Sequence, residues 1–365
     1  MDSSEPFRVM IVDDSTVIRG LVTRVLDADS QIKVVSSVAD GQMAVSALAR
    51  HPVDVIVLDI EMPVMDGIEA IPKLLAVNPG VKIIMSSTLT MHNAEISMKA
   101  LSLGAHDYVA KPTSTKDMSS ADDFKRELVE KVKALGNLAR RGGAVHLANE
   151  TKSPPIEKLP QHDGPVTLLT TPITHPDIIA IGSSTGGPQA LFAVLKELKG
   201  LRQPIVITQH MPATFTTILA QHISGQAGVP CEEGKDGMKV EGGKAYLAPG
   251  DYHMTFTGMV GDLRIALNKN PPENFCRPAV DPMLRSLAAI YGKRVLVAIL
   301  TGMGSDGALG AKNIVDAGGT VVAQDEASSV VWGMPAAVAK AGLCHAVLPL
   351  NGIGQWLRQQ AEKVG

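Results

Sequence analysis

The chain has 365 residues, 45% of them hydrophobic and 19% charged, with a formal net charge of −3. That length allows two or three domains with ample core, and the near-balanced charge excludes a broad basic face for nucleic acid, since Arg140-Arg141 is too short a run. No apolar stretch approaches the ~20 residues of a membrane span, the polar start Met1-Asp2-Ser3-Ser4-Glu5 does not read as a secretion signal, and the scattered Cys231, Cys276 and Cys344 form neither a disulfide framework nor a zinc motif, as expected in a reducing cytoplasm.

From the N-terminus, Phe7 to Val12 is an apolar, strand-like run that ends in Asp13-Asp14, and a helical pattern follows from Val17 to Leu26. Val53 to Leu58 ends in Asp59, Lys82 to Ser86 ends at Ser87, and Tyr108-Val109-Ala110 ends at Lys111-Pro112. Apolar runs alternating with helical patterns at this spacing predict βαβ units and a doubly wound parallel sheet. Polar residues then collect where the strands end. Asp13, Asp14 and Asp59 gathered in one spot repel one another unless a cation neutralises them, and an all-oxygen ligand set suits a hard ion such as Mg²⁺. Lys111 beside them makes sense if a further anion, a phosphoryl group, arrives on one carboxylate; an acidic loop cluster with a compensating lysine is the plainer alternative.

Asp122 to Arg141 reads as the closing helix of this half, with Phe124, Leu128, Val132 and Leu135 on one face. Between there and Pro176 the chain has Pro154-Pro155, Pro160, Pro165 and Pro172 among Ser, Thr and Gln, the composition of a flexible, partly extended linker.

The second half opens on Ile178-Ile179-Ala180-Ile181, then Gly182-Ser183-Ser184-Thr185-Gly186-Gly187, then Pro188-Gln189-Ala190-Leu191. Strand, glycine-bracketed serine turn and helix in that order are how an α/β sheet lifts a hydroxyl to a strand's carboxyl edge, and Gly182-x-Ser184-x-Gly186 reads as a nucleophile elbow. Two later runs repeat the design: Pro204 to Gln209 ends at His210, and Arg294 to Leu300 ends in Thr301-Gly302-Met303-Gly304-Ser305-Asp306-Gly307. Ser184, His210 and Asp306 therefore converge beyond the carboxyl ends of the strands, where open α/β sheets bind ligands. A serine, an imidazole to take its proton and a carboxylate to fix the imidazole make a hydrolytic triad. Backbone N–H groups near Thr185 and Met303 are the candidate oxyanion donors. Taken singly, Ser184 also fits a turn, a helix cap or a phosphate-cradling loop, although Pro188 stands where a phosphate-loop lysine belongs. His210 and Asp306 singly fit a cap and a turn.

Two resemblances add to these readings. Residues 6 to about 115 resemble a two-component receiver domain through Asp13-Asp14, Asp59-Ile60-Glu61-Met62-Pro63, Asp66-Gly67, Ser87 and Lys111-Pro112. This implies phosphorylation of Asp59 by a histidine kinase, with Mg²⁺ held by Asp13, Asp14 and Asp59. Ser87 and Lys111 would meet the phosphoryl group, and Tyr108 would be the aromatic switch. Ile181 to Pro188, Gln209-His210-Met211-Pro212, Ala248-Pro249-Gly250-Asp251, Arg277-Pro278-Ala279-Val280-Asp281 and Leu300 to Gly307 resemble the chemotaxis protein-glutamate methylesterase family, with Ser183 where that family often has Ala. The resemblance implies a cytoplasmic enzyme that hydrolyses glutamate methyl esters, and deamidates certain glutamines, on chemoreceptors, with the triad Ser184, His210 and Asp306 and no cofactor for that reaction. It further implies a flavodoxin-like receiver over 1–141, a linker over 142–175 and a Rossmann-like catalytic domain over 176–365. A DNA-binding output lacks its basic helix-turn-helix here. A scaffold with an inactive hydrolase half is the remaining competitor.

Overall fold

The computed structural model describes residues 5–88, 90–111, 118–141 and 166–363, and the chain divides into two compact units, Met1–Glu150 and Thr151–Gly365. Most of the expected linker thus lies outside the described residues. Its last part belongs with the second unit, where the Leu169 N–H donates to the Cys344 carbonyl at 2.8 Å.

The first unit alternates β1 (Phe7–Val12), α1 (Thr16–Asp27), β2 (Ile32–Val38), α2 (Gly41–Leu48), β3 (Val55–Asp59), α3 (Gly67–Val77), β4 (Lys82–Ser87), α4 (Met91–Ser102), β5 (Asp107–Ala110) and α5 (Met118–Arg141). The strands pair in parallel in the order β2-β1-β3-β4-β5, the doubly wound arrangement that the sequence implies. Central strands β1, β3 and β4 are almost wholly buried, which is why they read as unbroken apolar runs. Strand β2 does not read that way. It is an edge strand whose residues alternate between buried or half-buried and exposed, so its polar half hides it in the sequence. Side chains of Ser15, Asp40 and Asp66 cap α1, α2 and α3 by accepting backbone N–H bonds. Gly67 is required at the start of α3, because a Cβ there would stand 2.2 Å from the Asp59 carbonyl oxygen.

In the second unit β6 (Ile178–Ser183), α6 (Gly187–Glu197), β7 (Ile205–Gln209), α7 (Ala213–Ala227), β8 (Cys231–Glu233) and β9 (Ala245–Leu247) build one half. A hairpin, β10 (His253–Met259) with β11 (Asp262–Asn268), follows. Then α8 (Val280–Tyr291), β12 (Val295–Ile299), α9 (Ala308–Asp316), β13 (Thr320–Gln324), α10 (Met334–Lys340), β14 (Ala346–Leu348) and α11 (Leu350–Glu362) complete it. The seven-stranded parallel sheet runs β14-β13-β12-β6-β7-β9-β8. Chain order moves outward from β6 through β7 and β9, then returns to lay β12 on the other side of β6. The topological switch point therefore lies between β6 and β12, the place where open α/β sheets form a ligand crevice above the carboxyl ends. Beneath it, Ile178, Ala180, Val297 and Ile299 pack with Leu284, Leu287 and Ile314 as a dry core. Among the described residues no helix is long and apolar enough to cross a membrane.

Candidate functional site

Each unit gathers its chemistry at a sheet crest. In the first, Asp13, Asp14 and Asp59 each place a carboxylate oxygen within 4.8 Å of the others, with Asp13 and Asp59 buried and Asp14 exposed. Lys111 Nζ stands 2.7 Å from both Asp13 Oδ2 and Asp59 Oδ1. Burial, with the Asp13 charge adding to it, raises the Asp59 carboxyl above its ordinary range although Lys111 pulls the other way. Burial also opposes the Lys111 charge, but the two carboxylates outweigh it and the ammonium titrates above an ordinary lysine. All-oxygen donors at this spacing fit a hard divalent ion.

Strand register corrects one expected residue. Asp59 of β3 pairs with Ser86 of β4, and partners in parallel strands project from the same face. Ser86 therefore shares the Asp59 face, and its Oγ is buried with no partner among the described residues. Ser87 points to the opposite face, its Oγ 3.4 Å from Ser97 Oγ of α4. The serine suited to meet a group on Asp59 is Ser86, one pleat away from the residue the sequence suggests. Tyr108 is buried at the expected position on β5. Its carbonyl accepts from Lys131 Nζ at 2.6 Å, and that ammonium lies 4.9 Å from the centre of its ring. Lys131, 8% exposed, also pairs with Asp107 at 3.3 Å and Glu127 at 2.7 Å, which outweigh its burial and push its pKa up to about 12.

In the second unit Ser184 follows β6, His210 follows β7 and Asp306 follows β12, three neighbouring strands of the sheet. The elbow is closed by Gly187 N–H donating to the Ser184 carbonyl at 2.7 Å and by Gly186 at φ 76. Across the switch point the Ser184 N–H donates to the Thr301 carbonyl at 3.0 Å. Gly302 must be glycine, since a Cβ there would stand 2.9 Å from the Ser184 Cβ. Ser184 is half-buried, and its hydroxyl has no hydrogen-bond partner among the described residues.

His210 Nε2 donates to Asp306 Oδ2 at 2.7 Å. Asp306 is 1% exposed and is held as an anion: Oδ2 also accepts from the Val280 N–H at 2.6 Å, and Oδ1 from the N–H groups of Asp281 and Gly307 and from Asn274 Nδ2. These donors include the first turn of α8, where a helix favours negative charge. They and His210 hold the Asp306 carboxyl below its ordinary range despite burial. Burial opposes the His210 imidazolium in turn, but its contacts with Cys276 and Asp306, on opposite nitrogens, outweigh it and raise the ring above its ordinary range. The second nitrogen, Nδ1, lies 3.3 Å from Cys276 Sγ. So the crest forms the histidine–aspartate half of the expected triad, while the serine hydroxyl is not bonded to the imidazole. The expected oxyanion donors are open: among the described residues, the N–H groups of Thr185 and Met303 have no acceptor.

The CheB methylesterase family profile matches residues 179–357, and the response regulator receiver domain profile matches residues 9–121. A protein-glutamate methylesterase/protein-glutamine glutaminase of Azospirillum brasilense is 61% identical over 98% of this chain and 94% of its own. The chain belongs to the CheB methylesterase family. A relative of the same description from Rhodospirillum centenum is 57% identical over 99% of this chain and 95% of its own. The crystal structure of the Thermotoga maritima CheB methylesterase catalytic domain is 40% identical, covers 51% of this chain and 99% of its own, and aligns with a TM-score of 0.49. Membership makes the second unit a hydrolase and the first a response-regulator receiver.

Several residues of the crest escape a sequence reading. Gln209, 2% exposed, accepts from Ser183 Oγ at 2.6 Å and donates to the Ser184 carbonyl at 2.9 Å and the His210 carbonyl at 3.2 Å. This also explains the hydroxyl at Ser183. Asn274 reaches both Asp306 and Asp281, and buried Asp281, lifted to about 7 by burial and by Asp306, accepts from the Gly310 N–H at 2.6 Å. Gln209 ends β7, Asn274 lies in a loop and Asp281 starts α8, so only tertiary folding brings their contacts together; the Gln209-His210 and Arg277 to Asp281 motifs were the available signals.

Proposed function

We propose that this hydrolase removes methyl groups from glutamyl γ-methyl esters, and ammonia from selected glutamines, on methyl-accepting chemoreceptors, under the control of phosphorylation at Asp59. The observation that carries the reading is the His210–Asp306 pair fixed at the crevice beside an elbow serine whose hydroxyl is open. Ser184 Oγ attacks the side-chain carbonyl and its proton passes to His210 Nδ1, since Asp306 holds Nε2–H. The tetrahedral oxyanion is met by the Thr185 and Met303 N–H groups. Methanol or ammonia departs with the proton from His210, and water, deprotonated by the same nitrogen, releases glutamate. An ester and a primary amide differ only in the leaving group, so one acyl-transfer site serves both.

In the receiver, Asp59 is the phosphoacceptor and a chemotaxis-type histidine kinase the donor. Asp13, Asp14 and Asp59 hold Mg²⁺, which supplies charge neutralisation for phosphoryl transfer. Ser86, in place of Ser87, donates to the phosphoryl oxygens, Lys111 pairs with them, and Tyr108 answers the change. A phosphoryl group adds roughly −1.5 to −2 charge at neutral pH, enough to reorganise contacts that Lys111 makes with two carboxylates. The boundaries proposed are a receiver over 1–141, a linker over 142–175 and a catalytic domain over 176–365, supported by the division into compact units between Glu150 and Thr151.

The test is hydrolysis of methylated receptor by the full chain with and without a small phosphodonor. Ser184→Ala should lose several orders of magnitude in rate, leaving roughly 10³-fold over water from the rest of the site. A folded Ser184→Ala protein with near-normal rates refutes the nucleophile, and an Asp59→Asn protein that still responds to phosphodonor refutes the control.

A further inference from the structure

The nitrogen through which Ser184 must work already has a neighbour. Asp306 is a buried carboxylate that can only accept, so its 2.7 Å contact fixes the proton on His210 Nε2 and leaves Nδ1 as the basic atom. At 3.3 Å from that atom lies Cys276 Sγ, a distance at which the S–H donates to the ring. Ser184 Oγ has no such bond. In this arrangement the relay reads Cys276–His210–Asp306, with the serine waiting outside it.

The cysteine is aimed there by a built turn. Glu273 and Cys276 exchange both backbone hydrogen bonds, at 3.1 and 2.8 Å, around Asn274 at φ 51 and Phe275 at φ 63. Two positive φ values in succession define a type I′ turn, whose second central position favours glycine; a phenylalanine there is strained and needs outside support. The support comes from the site itself. Asn274 Nδ2 bonds Asp281 Oδ2 at 3.0 Å and Asp306 Oδ1 at 3.2 Å, and Arg285 clasps both oxygens of Glu273 at 2.9 and 2.5 Å. The same carboxylate that orients His210 thus anchors the turn that brings the thiol to it.

We infer that Cys276 is a positioning residue that competes with Ser184 for Nδ1 of His210, so that the resting hydrolase is restrained by its own thiol until substrate binding moves the turn or the ring. The inference rests on Ser184 being the nucleophile, as proposed above. The restraint is a single weak S–H···N bond. Its removal raises reactivity by the modest factor that such a bond sets and leaves substrate recognition alone.

The experiment labels the full chain with a small alkyl fluorophosphonate: Ser184 Oγ bonds phosphorus, fluoride leaves and the hydroxyl proton passes to His210. Cys276→Ala, and Cys276→Val as a bulkier variant without the S–H, should label Ser184 roughly two- to tenfold faster than wild type. They should also raise kcat for methylated receptor by a similar factor with KM unchanged. Cys276→Ser, which restores a donor, should return the rate toward wild type. Labelling of Ser184 at the wild-type rate or slower in whichever of the Ala and Val variants keeps the wild-type unfolding midpoint overturns the restraint and leaves the Ser184 assignment standing. Absence of label on Ser184 in every protein, wild type included, overturns both.

Discussion

The two sheet crests use one architectural device for opposite electrostatic ends. At the receiver crest Lys111 bridges Asp13 and Asp59, each of which also accepts a single backbone N–H among the described residues, with Asp14 beside them in solvent. Its chemistry is set by whole charges that await partners, a cation for the carboxylates and an anion for the lysine. At the hydrolase crest one carboxylate, Asp306, is wrapped in backbone and amide donors before any substrate arrives. Parallel strands with a reversal in strand order supply the place in both units; how far polar groups are satisfied in advance decides what each place can do. A satisfied crest performs acyl transfer repeatedly without reorganising, whereas an unsatisfied one changes state when its partners come and go.

Substitutions can break that contrast. The largest effect is expected from Asp306→Asn, which keeps the shape but loses control of the imidazole tautomer: kcat for ester hydrolysis should fall about 10⁴-fold. A loss of less than tenfold would mean that Asp306 does not orient the base. Next is Lys131→Met in the receiver, which leaves Asp107 in the interior without its ammonium. Urea unfolding of the receiver transition should show a loss of about 3–5 kcal/mol, and a change within error would show that solvent and N–H donors such as that of Tyr108 satisfy Asp107 without the ammonium. Ser86→Ala should slow phosphorylation of Asp59 by a small phosphodonor about tenfold, the worth of one charge-assisted hydrogen bond. Ser87→Ala should leave that rate near wild type, and the reverse ranking would restore Ser87 to the site.

The mildest test is a pH profile. His210 is raised above its ordinary 6.5, and an imidazolium cannot take the serine proton. The rising limb of kcat/KM should therefore lie above pH 6.5. The same shift stabilises the fold fully below pH 6.5, and that contribution is lost as pH rises through about 10. A limb centred at or below 6.5 would show that Cys276 and Asp306 together do not outweigh the burial of the ring.

The sequence made much of this legible. Buried central strands are unbroken apolar runs, so the polar residues that end or soon follow them stand out, and Asp13, Asp59, Ser184, His210 and Asp306 are all of that kind. Strand β2 was not legible because it lies half in solvent. The choice between Ser86 and Ser87 turns on pleat parity, which needs the pairing register of Asp59 with Ser86. Cys276 and Asn274 reach the site through a two-residue turn whose positive φ values at Asn and Phe no local rule demands. The linking role of Gln209 depends on contacts made across two strands at once.

That last residue has a mechanical consequence. Because one interior amide grips the backbone just after β6 and just after β7 and the hydroxyl of Ser183 as well, nucleophile and base segments move as a single rigid bracket. Redesigning this hydrolase for a wider acyl group by sliding either segment outward would first require a replacement for that clamp.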